Sequence, residues 1–320
     1  MPLTLEQYAD YLDTRQDLAW PAPPAVERPK ARPHLVRLGD VRAVTWSVYG
    51  TLLAVPGGEL YFEHPQPFIM DLALDKTIQE FKMWPAMTRK PGQPAEYLRV
   101  IYGNVLSELR FHPAAGERYP EVSADKVWEA ILKKLLQNEY VFDTGFYGSL
   151  NDYSRKVAYF FHASLQGSAC YPGAAEALRY VRRALGVQGL LADGQCFTTV
   201  QLARGLRAQG AAEPLDELIP PALRVLSYEL RARKPSERLF RELLGRLKTA
   251  YGVEPQQVLH IGSDVEKDVA PARKFGMRTG LFAGDKASLR ATPEQLKQPA
   301  LRPDVLLTEL PQIAAVVGEG

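Results

Sequence analysis

The sequence predicts an α/β fold: a parallel sheet flanked by helices, with a mostly helical subdomain inserted near its start. Three observations predict it. From residue 187 onward, short apolar runs alternate with amphipathic stretches, the pattern of a parallel sheet built by right-handed crossovers. A single earlier apolar run, "RAVTWSV" at 42–48, leads into a tight glycine turn. Between that run and the next lie about 135 residues, too many for one crossover and rich in helical periodicity.

The elements follow in chain order. Residues 1–40 form an N-terminal extension. Thr4 and Gln7 have the spacing of a capping box, and Leu5, Tyr8 and Leu12 share a helical face, which predicts a short helix over 5–15. The next stretch, "WPAPPAVERPKARP", holds five prolines and predicts an extended, polyproline-like arm that either lies on the body or acts as a tether. After the 42–48 strand, three stretches carry helical apolar spacing: 94–111, 123–140 and 151–165. The chain rejoins the sheet near "CYPGAAEALRYVRRALG". Further strands are predicted at 187–193, 223–229, 257–263, 277–283 and 303–308, with helices at 236–252 and 267–276 that each end on a glycine. The predicted division is an arm (1–40), a sheet core (41–56 with 170–320) and a helical insert (57–169).

Composition excludes several function classes. With 46% apolar residues in a 320-residue chain, a sizeable core can form. The 39 basic and 37 acidic residues leave a net charge of +2, so no basic excess points to nucleic acid or to an anionic membrane surface. No window approaches the uninterrupted apolar length of a membrane span, and the N-terminus lacks a signal-peptide pattern, so the expected location is cytoplasmic. Cys170 and Cys196 have no metal-ligand spacing, and the five histidines form no paired motif, so no zinc site is expected.

Four stretches at predicted strand ends stand out. "AVTWSVYGTLLAV" places Ser47 at the end of the first strand, followed by Tyr49, Gly50 and Thr51. "GLLADGQ" ends the second in Ala192 and Asp193. "RARKPSERLF" supplies Lys234 and Pro235, the proline suited to a first helical turn. "VLHIGSDVEKDV" supplies Gly262, Ser263, Asp264 and Asp268. Read locally, Lys234 is equally a surface lysine before a capping proline. Asp264 is equally a helix cap, with Asp268 then exposed.

In order and spacing, these four stretches resemble the haloacid dehalogenase (HAD) superfamily of phosphatases and dehalogenases over about residues 41–310. The resemblance implies a Rossmann-like parallel sheet with a helical cap inserted after its first strand, and a site at the carboxyl ends of the strands. It implies a nucleophilic aspartate where Ser47 stands, and Tyr49 matches the dehalogenase branch. It implies an anion-holding hydroxyl where Ala192 stands; an alternative alignment moves that hydroxyl to Thr198 or Thr199, which read more simply as the N-cap of the next helix. It implies a lysine at Lys234 and a magnesium-holding acidic pair at Asp264 and Asp268; the turn at Gly50 and Thr51 is expected separately to accept an anion, as a nest of backbone amides.

The departures predict an impaired enzyme. A serine is not ionised at neutral pH and needs a positioned base. No histidine is expected at the site, which leaves Lys234 as the candidate base, and the nearby carboxylates keep a lysine charged. With Ser47 in place of a carboxylate, the expected magnesium site is weak at best, and no cofactor is firmly implied. The expected function is a catalytically impaired HAD-like protein that acts by binding a small anionic ligand or, through the N-terminal arm, a protein partner. The alternative is an active phosphatase or dehalogenase using a Ser47/Lys234 site.

Overall fold

The computed structural model describes residues 1–87, 93–111 and 116–317. Its helices are α1 (Leu5–Asp13), α2 (Pro67–Glu80), α3 (Pro94–Phe111), α4 (Ala124–Leu136), α5 (Thr144–Tyr147), α6 (Leu150–Leu165), α7 (Ala174–Ala184), α8 (Thr198–Ala208), α9 (Leu215–Leu218), α10 (Ser227–Leu230), α11 (Glu237–Tyr251), α12 (Ala270–Lys274), α13 (Pro293–Lys297) and α14 (Ile313–Val317). Its strands are β1 (Ala43–Trp46), β2 (Leu53–Ala54), β3 (Ala169–Cys170), β4 (Gln188–Ala192), β5 (Arg224–Leu226), β6 (Val258–Gly262), β7 (Arg278–Phe282) and β8 (Val305–Leu307).

Six strands form one parallel sheet in the order β5-β4-β1-β6-β7-β8. The four residues of β1 are all buried, as a central strand covered on both faces requires. Its register places Trp46 beside Leu190 of β4 and Ile261 of β6. One polar side chain lies deep in this core. Gln188 accepts from the Trp46 indole at 3.1 Å and donates to the carbonyls of Leu178 and Leu218, so both ends of its amide are satisfied.

The helices between β2 and β3 share a second apolar cluster, centred on Leu98, Tyr102, Trp128, Ile131, Tyr153 and Phe161. The sequence reading passed over α2. Its signal is present nonetheless: Met70, Ala73, Leu74, Thr77 and Ile78 are buried at helical spacing. β2 and β3 pair antiparallel, so the two chain crossings between the bodies run side by side.

The N-terminal extension is docked on its own chain. Thr4 and Gln7 form the capping box of α1, whose Tyr8, Ala9 and Leu12 are buried in the helical cluster. Further along, His34 exchanges backbone hydrogen bonds with Leu306, adding an antiparallel bridge to the β8 edge.

Three local readings need correction. Pro235 does not enter the first turn of α11: Ser236 is the N-cap and the helix starts at Glu237. Neither Thr198 nor Thr199 caps α8, whose N-cap is Phe197. The helix read over 267–276 begins with a wider π-turn at Val265–Val269 before α12.

Candidate active-site cleft

A cleft of about 250 Å³ opens at the carboxyl edge of the sheet. Ser47, Asp193, Lys234, Asp264 and Asp268 line it from the core, and Tyr61, Phe62 and Glu121 line it from the helical side. β1 and β6 deliver two of its walls together, because the Ser47 amide continues their ladder by donating to Ile261 O at 2.8 Å. Ala192 is fully buried at the end of β4, and Asp193, Gly194 and Gln195 after it reach the cleft.

Two glycines allow the walls to approach. Gly50 holds φ +78°, and a Cβ there would stand 2.8 Å from the Ser263 hydroxyl. A Cβ on Gly262 would fall 2.0 Å from Cγ of Asp268, so only glycine lets the Asp268 carboxylate lie against β6.

At the centre, Lys234 Nζ donates to Ser47 Oγ at 2.7 Å and to Asp268 Oδ1. Asp268 Oδ1 also lies 3.2 Å from His260 Nε2, and His260 Nδ1 lies 3.0 Å from Thr45 Oγ1. The second Asp268 oxygen accepts from the Asp264 amide at 3.1 Å. Asp268 is therefore buried, contrary to the exposed reading. Asp264 does cap the turn after it, accepting from the amides of Glu266 and Lys267. Asp193 accepts from the Lys234 amide at 2.7 Å.

His260 corrects the expectation of a histidine-free site. It stands inside the fourth motif, where an imidazole on an otherwise apolar buried strand is itself the signal. Of the other histidines, His112 lies outside the described residues. Glu121 was also missed. It comes from the segment before α4, where it accepts from the Ser227 hydroxyl at 2.7 Å, and no sequence pattern marks it.

Electrostatics fix the protonation states. Burial acts to lower the Lys234 pKa, but the carboxylates of Asp268 and Asp193 outweigh it and the net direction is up. Burial acts to raise Asp268, but the Lys234 ammonium and His260 hold it well below the usual carboxylate range. Burial lowers His260, against the pull of the Asp268 carboxylate, and raises Asp193 and Asp264. Burial likewise pushes Glu121 up to about 7.

The turn after Ser47 spends its own donors. The amides of Gly50 and Thr51 donate to the carbonyls of Leu53 and Val48, which leaves neither of these two amides for a ligand. The Tyr49 hydroxyl donates to Gln201 at 2.7 Å and lies 2.9 Å from Thr198 Oγ1. Thr198 also accepts from the Gln195 amide, so its hydroxyl braces the loop after β4.

The donor set does not fit a resident magnesium ion. Such an ion needs near-octahedral oxygen ligands, usually including one or two carboxylates. Asp268 is committed to Lys234, His260 and the Asp264 amide, and position 47 offers a hydroxyl that Lys234 already uses. Among the described residues, no group of three or more His, Cys, Asp or Glu is disposed to hold a metal. Nor is any helix among them long and apolar enough to cross a membrane.

Comparison with known proteins places this geometry. Residues 231–313 match the family model described as HAD-hydrolase-like. No curated protein gives a significant match. A 2-haloacid dehalogenase from Pseudomonas syringae pv. tomato shares 20% identity over 85% of this chain and 96% of its own, with a TM-score of 0.52. A HAD phosphatase from Thermococcus onnurineus is 16% identical over 87% of this chain and 98% of its own, with a TM-score of 0.46. The magnesium-bound putative HAD-hydrolase YfnB from Bacillus subtilis is 14% identical over 87% and 99%, with a TM-score of 0.43. The chain thus carries the haloacid dehalogenase fold, and residues 231–313 carry the sequence pattern of a HAD-hydrolase-like family.

Proposed function

We propose that this chain is a HAD-like protein that binds a small anion in the cleft beneath a helical cap and does not turn it over by the aspartyl route. One observation carries the reading. Ser47 stands at the nucleophile position, and its hydroxyl accepts a hydrogen bond from a charged Lys234 that Asp268 already holds. A serine attacks only when a base removes its proton. Lys234, raised rather than lowered in pKa, is a donor here and not a base. The neutral His260 lies behind Asp268 and is bonded to Thr45, not to Ser47.

The same features favour anion binding. Replacing a carboxylate with a hydroxyl removes one negative charge from the cleft. Lys234 is joined there by Arg233, whose guanidinium has no hydrogen-bond or ion-pair partner among the described residues. Phosphatases and 2-haloacid dehalogenases share this fold, so a phosphate or a carboxylate is the chemical class proposed.

Calorimetric titration with inorganic phosphate tests the reading. Wild type is expected to bind, and Arg233→Ala is expected to bind at least about tenfold more weakly, the effect of losing roughly 1.4 kcal/mol of interaction. Absence of binding in wild type, or equal binding in both proteins, would refute it.

A further inference from the structure

Besides the N-terminal arm, two chain crossings join the helical unit to the sheet core, at about residues 55–66 and 166–168. The β2–β3 ribbon holds them together, with Leu53 opposite Cys170 and Ala54 opposite Ala169. Any hinge between the two bodies has to use these crossings, since hinges are short loop segments that absorb backbone rotation.

The N-terminal arm bears directly on the returning crossing. A Cβ on Gly167 would lie 2.3 Å from Ala22 O and 2.5 Å from Pro21 O. Gly167 is not among the glycines of positive φ, so its own turn does not demand glycine. The arm's close approach does.

The arm is also anchored on both bodies. On the helical side, α1 is buried in the aromatic cluster and the Trp20 ring stands edge-on to Phe160 at 5.3 Å. On the core side, Asp10 and Asp13 pair with Arg207 and Arg204 of α8. Beyond Gly167, the Lys286 amide donates to Glu27 O at 2.7 Å, and His34 bridges to Leu306. Gln166 links this seat to the cleft, accepting from the Tyr61 amide at 2.7 Å and donating to Glu59 O at 3.0 Å.

We propose that residues 1–36 form a strap that fixes the helical unit on the core by pressing on the return crossing at Gly167, so that access to the cleft depends on whether the strap is seated. The inference is independent of whether the cleft turns over a substrate. A separate clasp closes the far side, where the Arg233 amide donates to Tyr119 O and the Glu121 amide donates to Arg231 O. Release of the strap should therefore loosen the crossings before the clasp.

Hydrogen exchange on the full-length chain tests this. Gly167→Ala places a methyl group where the arm backbone lies. Asp10→Lys combined with Asp13→Lys turns two exposed ion pairs into repulsions without touching the crossing itself. In both variants the Lys286 amide, which donates to Glu27 O of the strap, and the Tyr61 amide should exchange at least about tenfold faster, while those of β1 and β4 keep wild-type protection, as expected for a local opening. Unchanged protection of Tyr61 with Lys286 freed would overturn the proposal. So would full protection of Lys286 in both variants, because the strap would then not depend on the contacts assigned to it.

Discussion

At the sheet edge, the buried polar groups form a connected chain: Thr45, His260, Asp268, Lys234 and Ser47 each have a partner. In the helical unit, the Tyr102 hydroxyl and the Trp128 indole nitrogen are buried with no hydrogen-bond partner among the described residues. The first region is organised by charge, and removing one member strands another. The second is organised by shape, with Phe161 in ring contact with Tyr102, Trp128 and His162 at about 5 Å. The comparison teaches that the edge gathers its charged groups into one connected cluster, whereas the helical unit is held mainly by aromatic packing, with some polar atoms bonded, as Tyr140 to Tyr153 and to Phe81 O, and others not.

Single and paired substitutions should separate the two regions. Lys234→Met leaves the Asp268 carboxylate buried without its ammonium and should destabilise the fold by about 3–5 kcal/mol. Adding Asp268→Asn removes that stranded charge and should recover more than half of the loss in urea denaturation. Phe161→Ala should cost a similar 3–5 kcal/mol, roughly, through the cavity it leaves. No charge-neutralising partner substitution should rescue it. Failure of the double variant to recover would mean that the edge, too, is held by packing.

Position 47 sharpens the comparison through a substitution that adds a carboxylate to the edge. Ser47→Asp adds a hard anionic oxygen beside Asp264 and should tighten magnesium binding by about tenfold or more in a calorimetric titration. Equal affinity in both proteins would show that position 47 does not face the part of the cleft open to a cation.

His162 gives a smaller effect and a defined pH window. Burial lowers its pKa to about 3, below the unfolded value of about 6.5. The unfolded chain then binds more protons between those values, so stability falls as pH drops from about 6.5 towards 3. His162→Phe removes the proton-binding group from this buried position. It should be neutral or stabilising by about 1 kcal/mol at pH 7 and should flatten part of that acid limb in pH-dependent denaturation. An unchanged limb would assign the acid sensitivity elsewhere, with His260 the next group depressed in the same direction.

The sheet was legible in the sequence because each strand is a short apolar run bounded by turn residues, and every run read as a strand contains one. Ser47, Ala192 and Asp264 were legible because each ends or closely follows its own strand, whereas Lys234 lies beyond α10 and was marked by the proline that follows it. What joins them was not. Ser47 and Lys234 are 187 residues apart and meet through the register of β1, β4 and β5. Glu121 reaches the cleft from the helical side and is placed by tertiary contacts with Ser227 and Arg231. Residues 18–33 of the arm hold no helix or strand, and proline content does not encode what they lie on. Gly167 carried that information only as an unexplained glycine.

The most direct test of the central claim is turnover. Purified wild-type protein assayed with a generic phosphate ester and with a 2-haloacid should show no activity at ordinary enzyme rates of about 1–1000 per second, and Ser47→Ala should behave identically. Turnover at such rates in wild type, lost in Ser47→Ala, would contradict the account and establish Ser47 as a working nucleophile.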